Sequence, residues 1–336
     1  MENKRKTVFY AKGLAADKKV ILAEVEPYYA GMNIGLPGNN NIDSFGYVPN
    51  SDNINICFQD SPFHIDAPDI LINCMADADI LEKNLELLDN TISKLKTTNP
   101  GIKIINHPAG ILKTTRTDIS EMFQGLNGII VPKVKKLFPI SRNDFIKQIK
   151  NAGLSFPLLI REVGLHGGKN LIIINNLNDE IQIEQLDRFH LDGRAYYITE
   201  FIDFKGVDGY YRKIRIIMIN GKINLRHLIT SDGWNVHARN RERIMENNKQ
   251  FIQDEEIFFQ RSENNFSEDV LGSMNHIYQT LNLDIYGIDA GLMPDGRIVI
   301  FEINAAMEFL GTNNKNHLLG QISLIRNNFI KFISQL

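Results

Sequence analysis

Three oxygen-bearing side chains, Asp289, Glu302 and Asn304, stand in the stretch YGIDAGLMPDGRIVIFEINAAM (286–307), which otherwise reads as an apolar hairpin. The dipeptide Asp295-Gly296 favours a two-residue type I′ turn. With the turn centred there, Pro294 faces Arg297, and counting outward sets Asp289 directly opposite Glu302. Opposed side chains hold their Cβ atoms about 4.5–5.5 Å apart. Glu302 and Asn304, two residues apart, share a face. Two facing carboxylates repel, and a hard divalent cation that prefers oxygen offsets the repulsion. Mg2+ usually takes one or two carboxylates and completes its shell with water and nucleotide phosphates. The blander alternative is a solvated polar face, because a register slip of one residue turns every side chain over.

Two further stretches carry charge where apolar residues dominate. In YRKIRIIMIN, strand alternation sets Lys213 and Arg215 on one face, and cations on the inner face of an apolar strand need an anionic partner. Phosphate or a substrate carboxylate would supply it. Arg226 and the segment GWNVHAR (233–239) form the next basic set; His227, His237, Arg239 and Arg241 read equally well as structural. In GLHGGK (164–169), glycines let backbone N–H groups approach a phosphate closely, although a tight hairpin turn has the same composition. No Ser–His or Cys–His pair suggests a covalent nucleophile.

In this order the motifs resemble the ATP-grasp superfamily over residues 100–310. GID (287–289), a hairpin and FEIN (301–304) are similar to the Asp and Glu-x-Asn metal site of glutathione synthetase and of the glutamate ligases of ribosomal protein and cofactor. The resemblance implies that Asp289, Glu302 and Asn304 hold two Mg2+ ions, with Mn2+ as the alternative, bridging the phosphates of ATP. FPLLIREVGLHGGKNLIII resembles the strand–glycine loop–strand that covers those phosphates, which implies roles there for His166, Gly167, Gly168 and Lys169. Arg161 stands where the family has a lysine. A second family lysine corresponds to Arg116 or Thr117, with Arg116 favoured and Lys113 a further candidate. YYITEFID (196–203) resembles the hinge strand whose backbone pairs with adenine, which implies that Glu200, Phe201 and Ile202 edge the base. Asp203 or Asp208 could then reach the ribose, or be turn residues. Arg215 matches the family's arginine by position, which implies that it stabilises the tetrahedral intermediate or holds the acyl phosphate, with Lys213 and Arg226 as the further catalytic candidates. The ending EINAAMEFLG departs from the family, so Glu308 faces an amine substrate or merely caps its loop.

The elements that must position these residues follow from periodicity. Ile70–Cys74 reads as a buried strand, then a helix with Leu81, Leu85 and Leu88 at helical spacing, then the strand IKII, which is the signature of a parallel sheet. Ser141 caps a helix ending near Gly153. Asn220-Gly221 joins two strands in a hairpin. Residues 267–283 and 317–334 read as helices. Asn and Gly are dense at 31–55, which reads as loop.

The fold expected is therefore α/β and α+β in three parts: a parallel N-terminal unit at 1–117, a small α+β unit with the glycine loop at 118–200, and an antiparallel unit with the metal site at 201–336. The activity implied is ADP-forming ligation of a carboxylate to an amine, of small molecules or peptides, through an acyl phosphate. A phosphotransferase and a silent nucleotide-binding protein are the alternatives.

Composition sets the outer bounds. With 43% hydrophobic residues, 23% charged residues and a net charge of −3 over 336 residues, the chain gives no electrostatic reason for a nucleic-acid partner. No apolar run of about 18 residues calls for a membrane span. The N-terminus lacks the apolar run of a signal peptide, so the cytoplasm is expected. The two cysteines, Cys57 and Cys74, read as buried thiols. A homodimer is left open.

Overall fold

The computed structural model describes all residues except 1–4, 16–20, 26–31, 43–47, 49, 60–64, 166–169 and 308–315. β1 (Lys6–Gly13) is followed by an antiparallel pair, β2 (Ile21–Val25) and β3 (Met32–Gly35), then by β4 (Ser51–Phe58), β5 (Ile70–Asn73) and β6 (Lys103–Ile105). β4, β1, β5 and β6 lie in that order in an all-parallel sheet. The crossover from β5 to β6 is helix α1 (Ala78–Thr98), capped by the Asp77 side chain, which accepts the N–H groups of Asp79 and Ile80. Leu81, Leu85, Leu88 and Ile92 are buried on its inner stripe, as their spacing requires. The loop expected at 31–55 is corrected in part, since β3 falls within it and β4 begins in it. β4 (SDNINICF) is an edge strand with an exposed face, so its Asp52 and Asn55 meet water rather than core. Cys57 is exposed there, against expectation, whereas Cys74 is buried.

A second sheet follows the short strand β7 (Ile129–Ile130). β8 (Val134–Leu137), β9 (Leu158–Glu162), β10 (Ile172–Ile174) and β11 (Tyr196–Glu200) are antiparallel, in the order β10-β9-β11-β8. The helix Arg142–Asn151, capped by Ser141, covers it. This sheet has a core of its own, built on Phe145, Leu158, Ile160, Leu186 and Tyr196.

The third sheet comprises β12 (Tyr211–Ile219), β13 (Lys222–Ser231), β14 (Ile285–Leu292) and β15 (Ile298–Asn304), in the order β13-β12-β14-β15-β7. Its pairs are antiparallel except β15 with β7, which is parallel. The β12–β13 turn has both central residues in the left-handed region, Asn220 at φ 47° and Gly221 at φ 74°, the type I′ geometry that Asn-Gly favours. The parallel and third sheets share apolar cores. One runs from Leu71 and Leu85 to Ile214 and Ile288, and the other joins Ile72 and Ile217 beneath Ile325 and Phe329 of the C-terminal helix Asn316–Ser334. Among the described residues, no helix is long and apolar enough to cross a membrane.

The β14–β15 turn differs from expectation. Its loop has three residues, Pro294 to Gly296: the Met293 N–H donates to the Arg297 carbonyl at 2.9 Å, and only Gly296 has a positive φ, 85°. A type I′ turn would need Asp295 in the left-handed region too. The ladder therefore starts one residue out of the counted register, with Leu292 opposite Ile298. A bulge at Phe301 then takes up the extra residue, and Asp289 faces Glu302 after all.

Candidate active site

A second bulge completes the arrangement. Along β12 and β13, Ile216 pairs with Leu225 but Arg215 pairs with His227, so Arg226 is the extra residue. Arg215 in turn faces Asp289, which faces Glu302. Four strands thus set Glu302, Asp289, Arg215 and His227 in one line across the sheet, with neighbouring strands about 4.8 Å apart. All four line a cavity of about 620 Å³ between the second and third sheets.

The two carboxylates are already neutralised. Asp289 is 4% exposed and accepts from Arg215 Nε at 2.7 Å, Arg215 Nη2 at 2.9 Å and Lys213 Nζ at 2.6 Å. Burial alone would push its carboxyl up, yet Lys213 and Arg215 hold it below the usual carboxylate range. Glu302 accepts from Arg116 Nη2 at 2.8 Å and from Asn304 Nδ2 at 2.9 Å, while Arg116 Nη1 donates to the Phe301 carbonyl. Side-chain cations therefore offset the repulsion that the hairpin alone assigned to a metal. Arg161 lines the same cavity and donates to the Leu165 carbonyl. Burial, then the charge of Arg116, pulls its pKa down to about 10, which leaves it a cation at neutral pH.

The donor set still suits a hard ion. Asp289, Glu302 and the Asn304 amide offer oxygen only, two of them anionic, as Mg2+ prefers. Among the described residues, no group of three or more His, Cys, Asp or Glu side chains could hold a metal.

One end of the cavity is apolar. Phe201 and Trp234 meet edge to face at 5.7 Å, beside Ile202, Phe204 and Ile229. Phe204 and Phe301 lie over Gly291, where a Cβ would come within 2.7 Å of both rings, so glycine is needed for that approach. At the hinge, the Glu200 N–H donates to the Lys133 carbonyl at 2.9 Å and the Phe201 N–H to that of Pro157 at 2.8 Å. Those two donors are thus not the ones left for a base. The Glu200 carboxylate accepts the Ser155 N–H at 2.8 Å.

Several expected residues lie elsewhere. Arg226 is not among the lining residues; its bulge presents His227 instead. Asp203 accepts the Lys205 N–H and Asp208 pairs with Arg212 at 2.5 Å, both as turn residues away from the lining. Lys113 donates to the Thr280 carbonyl. Arg241 is buried in an ion pair with Glu255, while His237 lines the cavity. His166, Gly167, Gly168, Lys169 and Glu308 lie outside the described residues; their neighbours Gly164, Leu165, Leu171 and Met307 line the cavity. The sequence reading missed Asp79, at the start of α1, which accepts from Tyr197 Oη at 2.6 Å and Lys136 Nζ at 2.9 Å at the cavity wall. Period-two alternation in YYITE, which sets Tyr197 and Thr199 on one face, was the signal available.

The sequence matches no protein-family model and no curated protein. The fold is similar to that of the VanG D-Ala:D-Ser ligase of Enterococcus faecalis, with a TM-score of 0.51, 13% identity, and coverage of 98% of this chain and 100% of that one. It is also similar to the D-alanine–D-alanine ligase of Bacillus anthracis complexed with ATP, with a TM-score of 0.50, 12% identity, and coverage of 99% and 97%. The chain has the ATP-grasp fold. In this fold the third sheet supplies the charged row and the second sheet the opposite wall, from Leu159, Arg161, Tyr197 and Thr199. At such identities the likeness is one of fold, so the chemistry of the cavity has to be argued from its own residues.

Proposed function

We propose that the protein is an ATP-dependent carboxylate–amine ligase that releases ADP and phosphate. The observation that carries this reading is the row Glu302–Asp289–Arg215, flanked by Arg116, Arg161 and Lys213, in a cavity with an apolar end. Cations and hard-oxygen donors around one point suit a triphosphate, and the apolar end suits a purine. The Glu200 carbonyl and Ile202 N–H are then the hinge groups that address the base. The three units at 1–117, 118–200 and 201–336 act as floor, cover and catalytic sheet.

Asp289, Glu302 and Asn304 would hold Mg2+, which when bound would neutralise phosphate oxygens. Arg116, Arg161 and Lys213 bind the phosphates. A substrate carboxylate oxygen bonds to the terminal phosphorus as the bond from that phosphorus to the bridging oxygen breaks, and ADP leaves. The amine, from a small molecule or a peptide, then attacks the acyl carbon. Arg215 donates to the developing oxyanion, and the tetrahedral species collapses to the amide as phosphate leaves, carrying off the proton that the amine nitrogen gives up. No protein nucleophile is required.

The test is interception. A panel of carboxylates is screened with MgATP and hydroxylamine in place of the amine. A hydroxamate formed with ADP, and lost without Mg2+, is the expected result. AMP and pyrophosphate would mean adenylation, ADP with a stable phosphorylated alcohol would mean a phosphotransferase, and no turnover with tight nucleotide binding would mean a silent binding protein. Each of these overturns the proposal.

A further inference from the structure

The scheme above leaves His227 unused, although it ends the charged row. His227 lines the cavity, and its Nε2 is closed off from solvent with no hydrogen-bond partner among the described residues. An unpaired buried nitrogen is costly and uncommon in a native fold, so a group that satisfies it is to be sought inside the cavity. The register sharpens the point. Had the pairing of Ile216 with Leu225 run on, Arg226 would stand opposite Arg215; the bulge sets that arginine aside and presents the histidine. A guanidinium directly opposite Arg215 would add like-charge repulsion, whereas an imidazole adds a donor without a charge. Burial, followed by Arg215, Arg226, Lys213 and Arg241, holds the His227 pKa well below the ordinary imidazole value, so the ring is neutral and carries one N–H. Among so many cations, the species that turns such an N–H toward itself is an anion.

We propose that the His227 ring, whose Nε2 is closed off in the ligand-free protein, turns toward bound ATP and donates a hydrogen bond from Nε2 to its terminal phosphoryl group, on the side of Arg215 away from Asp289 and Glu302. The inference rests on the ATP-site reading. It makes His227 a selector for triphosphate over diphosphate: the bond exists while the terminal phosphoryl group is present and is lost with it. The ring needs no change of protonation to do this, and its neutral state keeps it from competing with Lys213 and Arg215 for Asp289.

The experiment compares affinities for MgATP and MgADP, without carboxylate or amine, in the full-length protein and in His227→Gln, His227→Asn and His227→Leu. The Gln amide nitrogen reaches the place of Nε2, the Asn amide falls short of it, and Leu has no donor. His227→Leu and His227→Asn are expected to weaken MgATP binding about tenfold, the scale of one hydrogen bond to a charged group, while changing MgADP binding less than twofold. His227→Gln is expected to recover most of the loss. If His227→Leu does not fold, the Asn and Gln pair carries the comparison. Equal losses for both nucleotides, or no loss for MgATP, would overturn the inference alone. Failure of the unsubstituted protein to bind either nucleotide would instead overturn the ATP-site reading beneath it.

Discussion

Replacing Asp289 by Asn removes one charge from a place where the tertiary structure has balanced three. The hairpin by itself gives one sign for the outcome: deleting one of two facing acids relieves repulsion and steadies the ligand-free protein. The cavity gives the other. Asp289 accepts from Lys213 and Arg215 at 2.6 and 2.7 Å, and its side chain is 5% exposed, against 20% and 23% for the two cations. Without the carboxylate these cations face each other with no counter-charge. Breaking a buried pair costs about 3–5 kcal/mol. The partial exposure of Lys213 and Arg215 puts the loss near the lower end, about 3 kcal/mol. At about 2 °C per kcal/mol for a long chain, melting should fall by about 6 °C. The loss should also depend on pH. The carboxyl titrates lower in the folded protein than its ordinary 3.8. Its contribution is therefore complete above about pH 4 and disappears as pH falls through the depressed value, so the two proteins should converge in acid. The assay is thermal melting of the ligand-free protein and the variant between pH 3 and pH 8. A variant that melts at or above the unsubstituted protein at neutral pH would refute the pairing with Lys213 and Arg215.

Other outcomes follow from the same cavity. Arg161→Ala should weaken ATP binding about tenfold or more while leaving adenosine binding within twofold; equal losses measured by calorimetry would give Arg161 a purely structural role through the Leu165 carbonyl. Trp234 is the only tryptophan and lines the apolar end, so adenosine and ATP should each change the intrinsic fluorescence saturably; no change with either would move the base elsewhere. Glu255 is fully buried and accepts from Arg241 at 2.5 and 2.6 Å, from His317 at 2.9 Å and from the Leu228 N–H at 2.9 Å. Glu255→Gln should cost about 3–5 kcal/mol in urea unfolding at neutral pH. Burial raises the Glu255 carboxyl, but the bonds from Arg241 and His317 take it below its ordinary 4.5, so its stabilisation is present above that pH and lost below it. The variant should therefore show a shallower acid limb.

What the sequence determined lies close along the chain. Helical spacing put Leu81, Leu85 and Leu88 on one stripe of α1, Ser141 and Asp77 capped their helices, and Asn220-Gly221 made its turn, because each depends on residues a few positions apart. The candidate site was legible to the same extent. Period-two alternation put Lys213 and Arg215 on one face and gave the acids a shared patch. The count that brought Asp289 opposite Glu302 reached the right pair by a wrong turn, since the three-residue loop and the bulge at Phe301 are each one residue off and cancel.

Only the tertiary structure decided the partners. Arg116 reaches Glu302 across 186 residues and Arg215 reaches Asp289 across 74, and no local pattern records such distances. The choice between Arg226 and His227 rested on whether β13 bulges, and a bulge arises from how two strands pack against their neighbours rather than from either strand alone. β4 escaped notice because an edge strand with a wet face has no apolar alternation to display. Short-range order is written in spacing and propensity. Charge neutralisation in a cavity is a property of the assembled sheets, because the energy that decides it comes from residues that folding alone brings within hydrogen-bonding distance.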